Sequence, residues 1–94
     1  MKDAFEKMGK FSTSVMNDST PKSHLLKLKH EVDEAIENPK DILEYSDCLL
    51  CLFAAVYKSG FTFEDLERAT DKKLEILKTR KWEKNEDGLY QHIS

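Results

Sequence analysis

The stretch from Glu31 to Asp47 constrains the fold of this 94-residue chain more than any other. It contains two pairs of acids at the same spacing, Glu31-x-x-Glu34 and Glu44-x-x-Asp47, with Asn38-Pro39 between them. Residues three apart share one helical surface, and the residue before a proline is driven out of the α region. The stretch therefore predicts two helices that fold back on each other and direct four carboxylates into one pocket.

Four carboxylates in one pocket repel one another, and a hard divalent cation relieves that repulsion. Mg²⁺ is the usual cation for such a site, held by carboxylates together with water and phosphate oxygens. We therefore predict a Mg²⁺ site, with Mn²⁺ as a possible substitute, made of Glu31, Glu34, Glu44 and Asp47. The alternative is ordinary surface decoration, since acids three apart are common on solvated helices.

The helix that carries the first acid pair is predicted to begin at Thr20-Pro21, because threonine is a good N-cap and proline suits the first helical position. It ends at Asn38. Glu31 and Glu34 lie on the flank of its apolar stripe. That stripe, at helical spacing and expected to face the core, consists of Leu25, Leu28, Val32, Ala35 and Ile36.

The second helix is predicted to begin after Asp41 and to continue through Cys48–Tyr57, which is apolar on every side. A helix of this kind is normally buried all round, and a short chain offers few neighbours, so we expect a helix of another subunit to cover it. Asp47 would then be partly buried. We interpret Cys48-x-x-Cys51 as small core residues, because the histidines are too scattered to complete a zinc site.

The remaining chain is less informative. Residues 1–19 are predicted to form an N-terminal arm, with a short helix at most near Phe5 and a loop from Phe11, and residues 20–94 to form one all-α domain. A third helix follows Gly60, a turn spans Asn85–Gly88 and the tail is short and extended. The basic residues from Lys72 to Lys81 suit either a solvated helix end or phosphate binding.

Charge and hydropathy exclude several partners. The net charge is −3 and no basic run indicates a nucleic-acid groove. No apolar run approaches the roughly 20 residues of a membrane span, and the N-terminus is too polar for a signal peptide. We expect a cytoplasmic protein without nucleic-acid or membrane partners. A chain this short buries a modest core, so a homodimer or homotetramer is expected.

The order of these features resembles the MazG-like all-α nucleoside triphosphate pyrophosphohydrolases. More closely, roughly residues 20–92 resemble the small dATP/dGTP-type diphosphohydrolase branch. The resemblance depends on the two acid pairs, the buried helix after them, Arg80-x-Trp82, Asp87-Gly88 and His92.

The resemblance implies an enzyme that cleaves the α–β phosphoanhydride of a (d)NTP, giving a nucleoside monophosphate and pyrophosphate. It assigns the four acids to the metal and to catalysis, and Lys73, Arg80, Trp82 and His92 to substrate binding. For Trp82, a packing role is the simpler alternative. It also implies dimers, or dimers of dimers, with an active site between helices.

Two positions depart from the family pattern. His30 stands where the family has a second glutamate, and Leu77 stands where an asparagine is frequent. These departures affect the number of metal ions, the identity of the general base and one substrate contact. They also support the alternative function, a catalytically silent dimerisation module or a regulatory module that binds nucleotide without turnover.

Overall fold

The computed structural model describes residues 1–93, and in this part of the chain it contains four helices and two short strands. The predicted all-α class is confirmed, with a small hairpin added. The chain divides into two compact units, one spanning Met1–Phe63 and one beginning at Glu64, which are described separately. The elements are α1 (Lys2–Val15), α2 (Pro21–Glu37), α3 (Ile42–Lys58), α4 (Phe63–Thr79), β1 (Trp82–Lys84) and β2 (Tyr90–His92).

The predicted boundaries of α2 are confirmed. The Thr20 side chain accepts a hydrogen bond from the Ser23 backbone N–H at 3.1 Å, and the Ser23 hydroxyl accepts one from the Thr20 N–H at 2.9 Å. This reciprocal capping satisfies two N–H groups that have no partner inside the helix. At the other end Asn38 is the C-cap, with its N–H donating to the Glu34 carbonyl.

A short loop joins α2 to α3 and makes them antiparallel neighbours. Asp41 is the N-cap of α3, and its carboxylate accepts from the Leu43 N–H at 3.0 Å. The Tyr45 hydroxyl donates to the Pro39 carbonyl at 2.8 Å, which ties the loop to the first turn of α3. The two helices pack along each other. The predicted hairpin of helices is therefore present, with the acid pairs at its looped end.

The prediction of a loop from Phe11 is wrong as far as Val15, because α1 continues to that residue. The polar sequence after Phe11 concealed the helix. The Ser12 and Thr13 hydroxyls both donate to the Gly9 carbonyl, at 3.0 and 2.8 Å, so they are satisfied inside the helix. α1 also packs on α3, and this tertiary contact outweighs weak local propensity. The domain boundary after residue 19 stays a prediction.

An aromatic cluster forms the core of the first unit. Phe5 of α1 is 1% exposed and Phe53 of α3 is 3% exposed. The Phe5 ring lies 5.4 Å from Phe53 in an edge-to-face arrangement and 5.7 Å from both Tyr57 and Phe63. α1 approaches α3 closely at Gly9, where a Cβ atom would overlap the Tyr57 ring. Glycine is therefore required at this helix crossing.

The predicted core stripe of α2 is largely on the surface, which corrects the expectation. Leu25, Val32 and Ile36 are 46%, 41% and 69% exposed. The buried residues of α2 are His24, Glu31 and Ala35, so Ala35 is the member of the predicted stripe that is buried. Periodicity identifies an apolar stripe but not the neighbour that covers it, and in the single chain the α2–α3 contact uses the adjacent face.

The apolar helix α3 is only partly covered within the chain. Its buried residues are Phe53, Ala54 and Ala55, whereas Leu52 is 37% exposed and Cys48 is half-buried. The composition of α3 predicted burial on every side, but the single chain covers this helix only in part. Despite this apolar character, no helix among residues 1–93 combines the length and hydropathy needed to cross a membrane.

The second unit contains most of α4 and the β-hairpin. None of the described α4 residues is buried, and Leu74 is 50% exposed. The strands pair antiparallel, with Trp82 opposite His92. The predicted turn and extended tail are confirmed: the Asn85 carboxamide oxygen accepts from the Leu89 N–H at 3.0 Å, and Gly88 has a φ of 80°. The strand at Trp82–Lys84 was not predicted.

Candidate metal centre

Three carboxylates converge where α2 and α3 meet. Glu31, near the end of α2, and Glu44 and Asp47, in the first turns of α3, each offer one oxygen, and these three oxygens lie within 4.8 Å of one another. The helical hairpin causes this convergence, because the short loop places the last turns of α2 beside the first turns of α3. These three residues are called the acid cluster below.

Burial is graded across the acid cluster. Glu31 is buried, Glu44 is half-buried and Asp47 is exposed. The expectation that Asp47 is partly buried is therefore wrong. The looped end of the hairpin is exposed from Asn38 to Leu43, so the first turns of α3 remain open to solvent. The cluster thus has a buried base and an open side through which a ligand can approach.

The acid cluster contains two buried oxygens that lack hydrogen bonds. Glu31 Oε2 and Glu44 Oε2 are both inaccessible to solvent and have no partner among the described residues. Leaving a buried charged acceptor unpaired is costly. Oxygens on opposite sides of a Mg²⁺ ion lie about 4.2 Å apart, twice the metal–oxygen distance. The observed spacing needs only a small adjustment, so the residues fit a divalent cation.

The charge of Glu44 is disfavoured in the metal-free protein. Burial raises the pKa of the Glu44 carboxyl, and the negative charges of Glu34, Asp41, Asp47 and Glu31 raise it further. Negative charges nearby favour the protonated form of a carboxyl group, whereas a bound cation favours its ionised form. The electrostatics of Glu44 therefore favour cation binding at neutral pH.

We expect Glu44→Gln to raise the melting temperature of the metal-free protein at pH 7 to 8. The folded pKa of Glu44 lies above its unfolded value, so ionisation of Glu44 removes stability as the pH rises through that interval. The gain from Glu44→Gln should disappear when the pH falls below the unfolded pKa. The check is thermal unfolding in EDTA over a pH series, with Glu37→Gln as an exposed control. An equal gain in the control would contradict the prediction.

The fourth predicted ligand, Glu34, is not part of the converging set. It is exposed on α2. Its negative charge nevertheless raises the pKa of Glu44 more than the charge of Asp41, Asp47 or Glu31 does. Its assignment to a metal stays a prediction. His30, at the position of the missing family glutamate, is also exposed. Burial raises the pKa of the Cys48 thiol, and the negative charges of Glu31, Asp47 and Glu44 raise it further, which indicates that Cys48 lies beside the acid cluster.

The four predicted substrate-binding residues belong to the second unit. Lys73 is exposed on α4 and Arg80 is half-buried just after this helix. The Trp82 indole N–H donates to the Leu77 carbonyl at 3.0 Å, and its ring lies 6.2 Å from His92 in an edge-to-face arrangement. Trp82 makes these contacts within the second unit and stays 42% exposed, so its assignment to substrate binding stays a prediction.

One residue of the site was missed at the level of sequence. Lys27 precedes Glu31 by one helical turn, and its ammonium group lies 3.2 Å from Glu31 Oε1. Lysine and glutamate four residues apart on a helix form a recognisable signal, so the pair could have been predicted. It places a cation at the buried end of the acid cluster.

Comparison with known proteins identifies relatives of this chain. The sequence model of the family described as dATP/dGTP pyrophosphohydrolase matches residues 4–93. The Eaa protein of Salmonella phage P22 is 41% identical over 54 residues, which make up 57% of this chain and 17% of that protein. The chain thus spans less than a fifth of this curated relative.

A solved structure has the same fold. It is a cyanophage S-2L MazG-like pyrophosphohydrolase bound to dGDP and three catalytic Mn²⁺ ions per active site. The two proteins superpose with a TM-score of 0.82 at 25% sequence identity, over 98% of this chain and 95% of that chain. With a family match over nearly its whole length and this agreement in fold, the chain belongs to the dATP/dGTP pyrophosphohydrolase family.

Proposed function

We propose that this protein is a divalent-metal-dependent nucleoside triphosphate pyrophosphohydrolase. It converts a (d)NTP and water to a (d)NMP and pyrophosphate, with Mg²⁺ as the expected cation and Mn²⁺ as a substitute. We place this activity in the cytoplasm, where its nucleotide substrates are found. Membership of the family supports the reaction, and the dGDP and Mn²⁺ ions of the cyanophage relative support the ligand classes.

The observation that carries the proposal is the acid cluster itself. Three carboxylates converge, two of their oxygens are buried without a hydrogen bond from any described residue, and Lys27 pairs with one oxygen of Glu31. A divalent cation supplies the missing positive charge and, when bound, stabilises the charge that develops on phosphate oxygens during hydrolysis. Ordinary surface decoration would not place two partnerless carboxylate oxygens out of reach of solvent.

The residues of the cluster have separate roles in this proposal. Glu31 and Glu44 provide the buried oxygens that hold the cation, and Asp47 completes the set on the open side, where the triphosphate approaches. Glu34 is exposed on the same helix as Glu31, so it is either a fourth ligand or the group that accepts a proton from the attacking water. Ordered carboxylates position the reactants, and this accounts for much of the rate gain in phosphoryl chemistry.

Residues of the second unit are proposed to bind the nucleotide. Arg80 offers a planar fork that suits phosphate oxygens, and Lys73 offers a point charge. The exposed side chain of Trp82 can stack on a base. Its indole N–H already donates to the Leu77 carbonyl, so it needs no acceptor in the nucleotide. His92 supports the Trp82 ring from the paired strand.

The test is pyrophosphate release from a panel of dNTPs and NTPs, with Mg²⁺, with Mn²⁺ and with EDTA. We expect metal-dependent release with a monophosphate as the second product, and the family description favours dATP and dGTP as the best substrates. Absence of release from every member would support the silent or regulatory alternative, which the departures from the family pattern at His30 and Leu77 favour. Metal binding in the absence of turnover would then identify a regulatory module.

We also propose that the protein is a homodimer or homotetramer. Leu25, Leu28 and Val32 of the predicted α2 stripe line an open groove of about 610 Å³, and α4 has a second apolar groove of about 450 Å³. Contiguous apolar surface of this kind on a small chain marks an interaction site. A second copy is the occupant that would also cover the exposed side of α3. The α2 groove is lined by Lys22, Leu25, Leu26, Leu28, Lys29, Val32 and Asp33.

We expect Val32→Asp to weaken self-association about thirtyfold or more, the effect of losing a 2 kcal/mol interface residue. Val32 is 41% exposed within the chain, so the monomer should stay folded. The measurement is sedimentation velocity over a concentration series, with Phe61→Ser, which replaces another exposed apolar residue, as control. A wild-type protein that sediments as a 10.9 kDa monomer would contradict the proposed assembly.

A further inference from the structure

Lys27 engages one specific oxygen of the acid cluster. Its ammonium group lies 3.2 Å from Glu31 Oε1, with the lysine side chain 62% exposed and the Glu31 side chain 11% exposed. The lysine therefore extends from solvent to a buried carboxylate and forms a charge-assisted hydrogen bond with it. Such a bond is stronger than one between neutral groups, and here it is made to one oxygen of the carboxylate.

The other oxygen of the same carboxylate is left without a partner. Glu31 Oε2 and, across the cluster, Glu44 Oε2 are buried without a hydrogen bond from any described residue. The two oxygens of Glu31 therefore differ, because only Oε1 has the Lys27 ammonium group beside it. A cation that binds Glu31 through both oxygens must approach this positive charge, whereas a cation that binds Oε2 alone does not.

This difference discriminates between cations. Ca²⁺ takes six to eight oxygens and frequently binds carboxylates through both oxygens, whereas Mg²⁺ requires an octahedron of about six and accepts single oxygens. Resting on the proposed function, we infer that Lys27 is a positioning residue that restricts Glu31 to one oxygen and so selects Mg²⁺ or Mn²⁺ over Ca²⁺. The side chain acts through Glu31 and is not itself a ligand.

The test compares Mn²⁺ and Ca²⁺ affinities of the full chain by calorimetry, for the wild type and for Lys27→Met. Loss of the lysine charge strengthens the binding of both divalent cations equally, so this effect cancels in the ratio of their dissociation constants. Loss of the constraint on Glu31 does not cancel. Residues that orient metal ligands typically change affinity tenfold or more, so we expect the ratio to shift about tenfold toward Ca²⁺.

Two further variants make the result specific. Lys27→Arg retains a positively charged donor for Glu31, so the ratio should not shift toward Ca²⁺. Lys10→Met removes the same charge at an exposed position of α1, outside both the acid cluster and the α2 groove. It should keep the wild-type ratio. Circular dichroism checks that each variant retains the helical content of the wild type.

Three results would overturn the inference. An unchanged ratio in Lys27→Met would mean that Glu31 is not constrained by Lys27, although the acid cluster still binds metal. An equal shift in Lys10→Met would assign the effect to net charge alone. Failure of the wild type to bind Mn²⁺ would overturn the proposed metal site and this inference together, and is distinguished from the first result by the absence of binding heat.

Discussion

Asp47→Asn is expected to abolish pyrophosphate release while leaving the fold intact. The substitution removes a charge from the open side of the acid cluster, where Asp47 is exposed. Loss of a metal-binding carboxylate removes several kcal/mol of transition-state stabilisation, on the order of a hundredfold or more in rate. Exposed substitutions outside special contacts change stability by about 0.5 kcal/mol or less. The measurements are pyrophosphate release with Mn²⁺ and urea unfolding of the same preparation.

The matched control for Asp47→Asn is Glu37→Gln. Glu37 is an exposed acid at the end of α2, outside the acid cluster. The same loss of one negative charge should leave turnover near the wild-type rate. Activity retained by Asp47→Asn, or lost equally in both variants, would show that the cluster is not the metal site of the reaction.

Phe5→Ala is expected to destabilise the protein by about 3–5 kcal/mol, the range for deleting a buried phenylalanine side chain. Phe5 is 1% exposed and contacts Phe53, Tyr57 and Phe63 in one aromatic cluster. Since small domains are stable by only about 5–15 kcal/mol, the loss is a large fraction of the total. Urea unfolding followed by circular dichroism measures it through the shift of the midpoint.

Phe11→Ala provides the control on the same helix. Phe11 is 49% exposed, so its replacement should cost less than about 1 kcal/mol, within the usual range for surface changes. The comparison tests whether α1 belongs to the core or is the loose arm that its sequence indicates. Equal small effects of the two variants would favour the arm.

Local signals in the sequence were sufficient for most helix boundaries. Thr20, Asn38 and Asp41 act at helix ends as predicted, and Gly60 adopts a φ of 90° after α3. Caps and turns depend on a few adjacent residues, so they can be recognised without the rest of the chain. The β1 strand was missed because a three-residue strand has too short a pattern, and its partner lies across a turn.

The candidate site was predictable in its composition but not in its environment. Spacing brought Glu31, Glu44 and Asp47 together as expected. The graded burial, the ion pair of Lys27 and the two oxygens without partners depend on how α2 lies against α3. Burial of a carboxylate is a property of the packed pair of helices, so it cannot be predicted from the periodicity of one helix.

The sequence by itself determined α2, α3, α4 and the hairpin that α2 and α3 form. It also identified three acids that meet at the looped end, together with Glu34, which is not among them. Only the tertiary structure decided which face of each helix is covered. The apolar residues Leu25, Val32 and Ile36 were expected in the core, yet they are exposed, while Glu31 and His24 are buried. The physical reason is that local hydrogen bonds and caps fix a helix, whereas burial is fixed by the neighbours that compete for its surface.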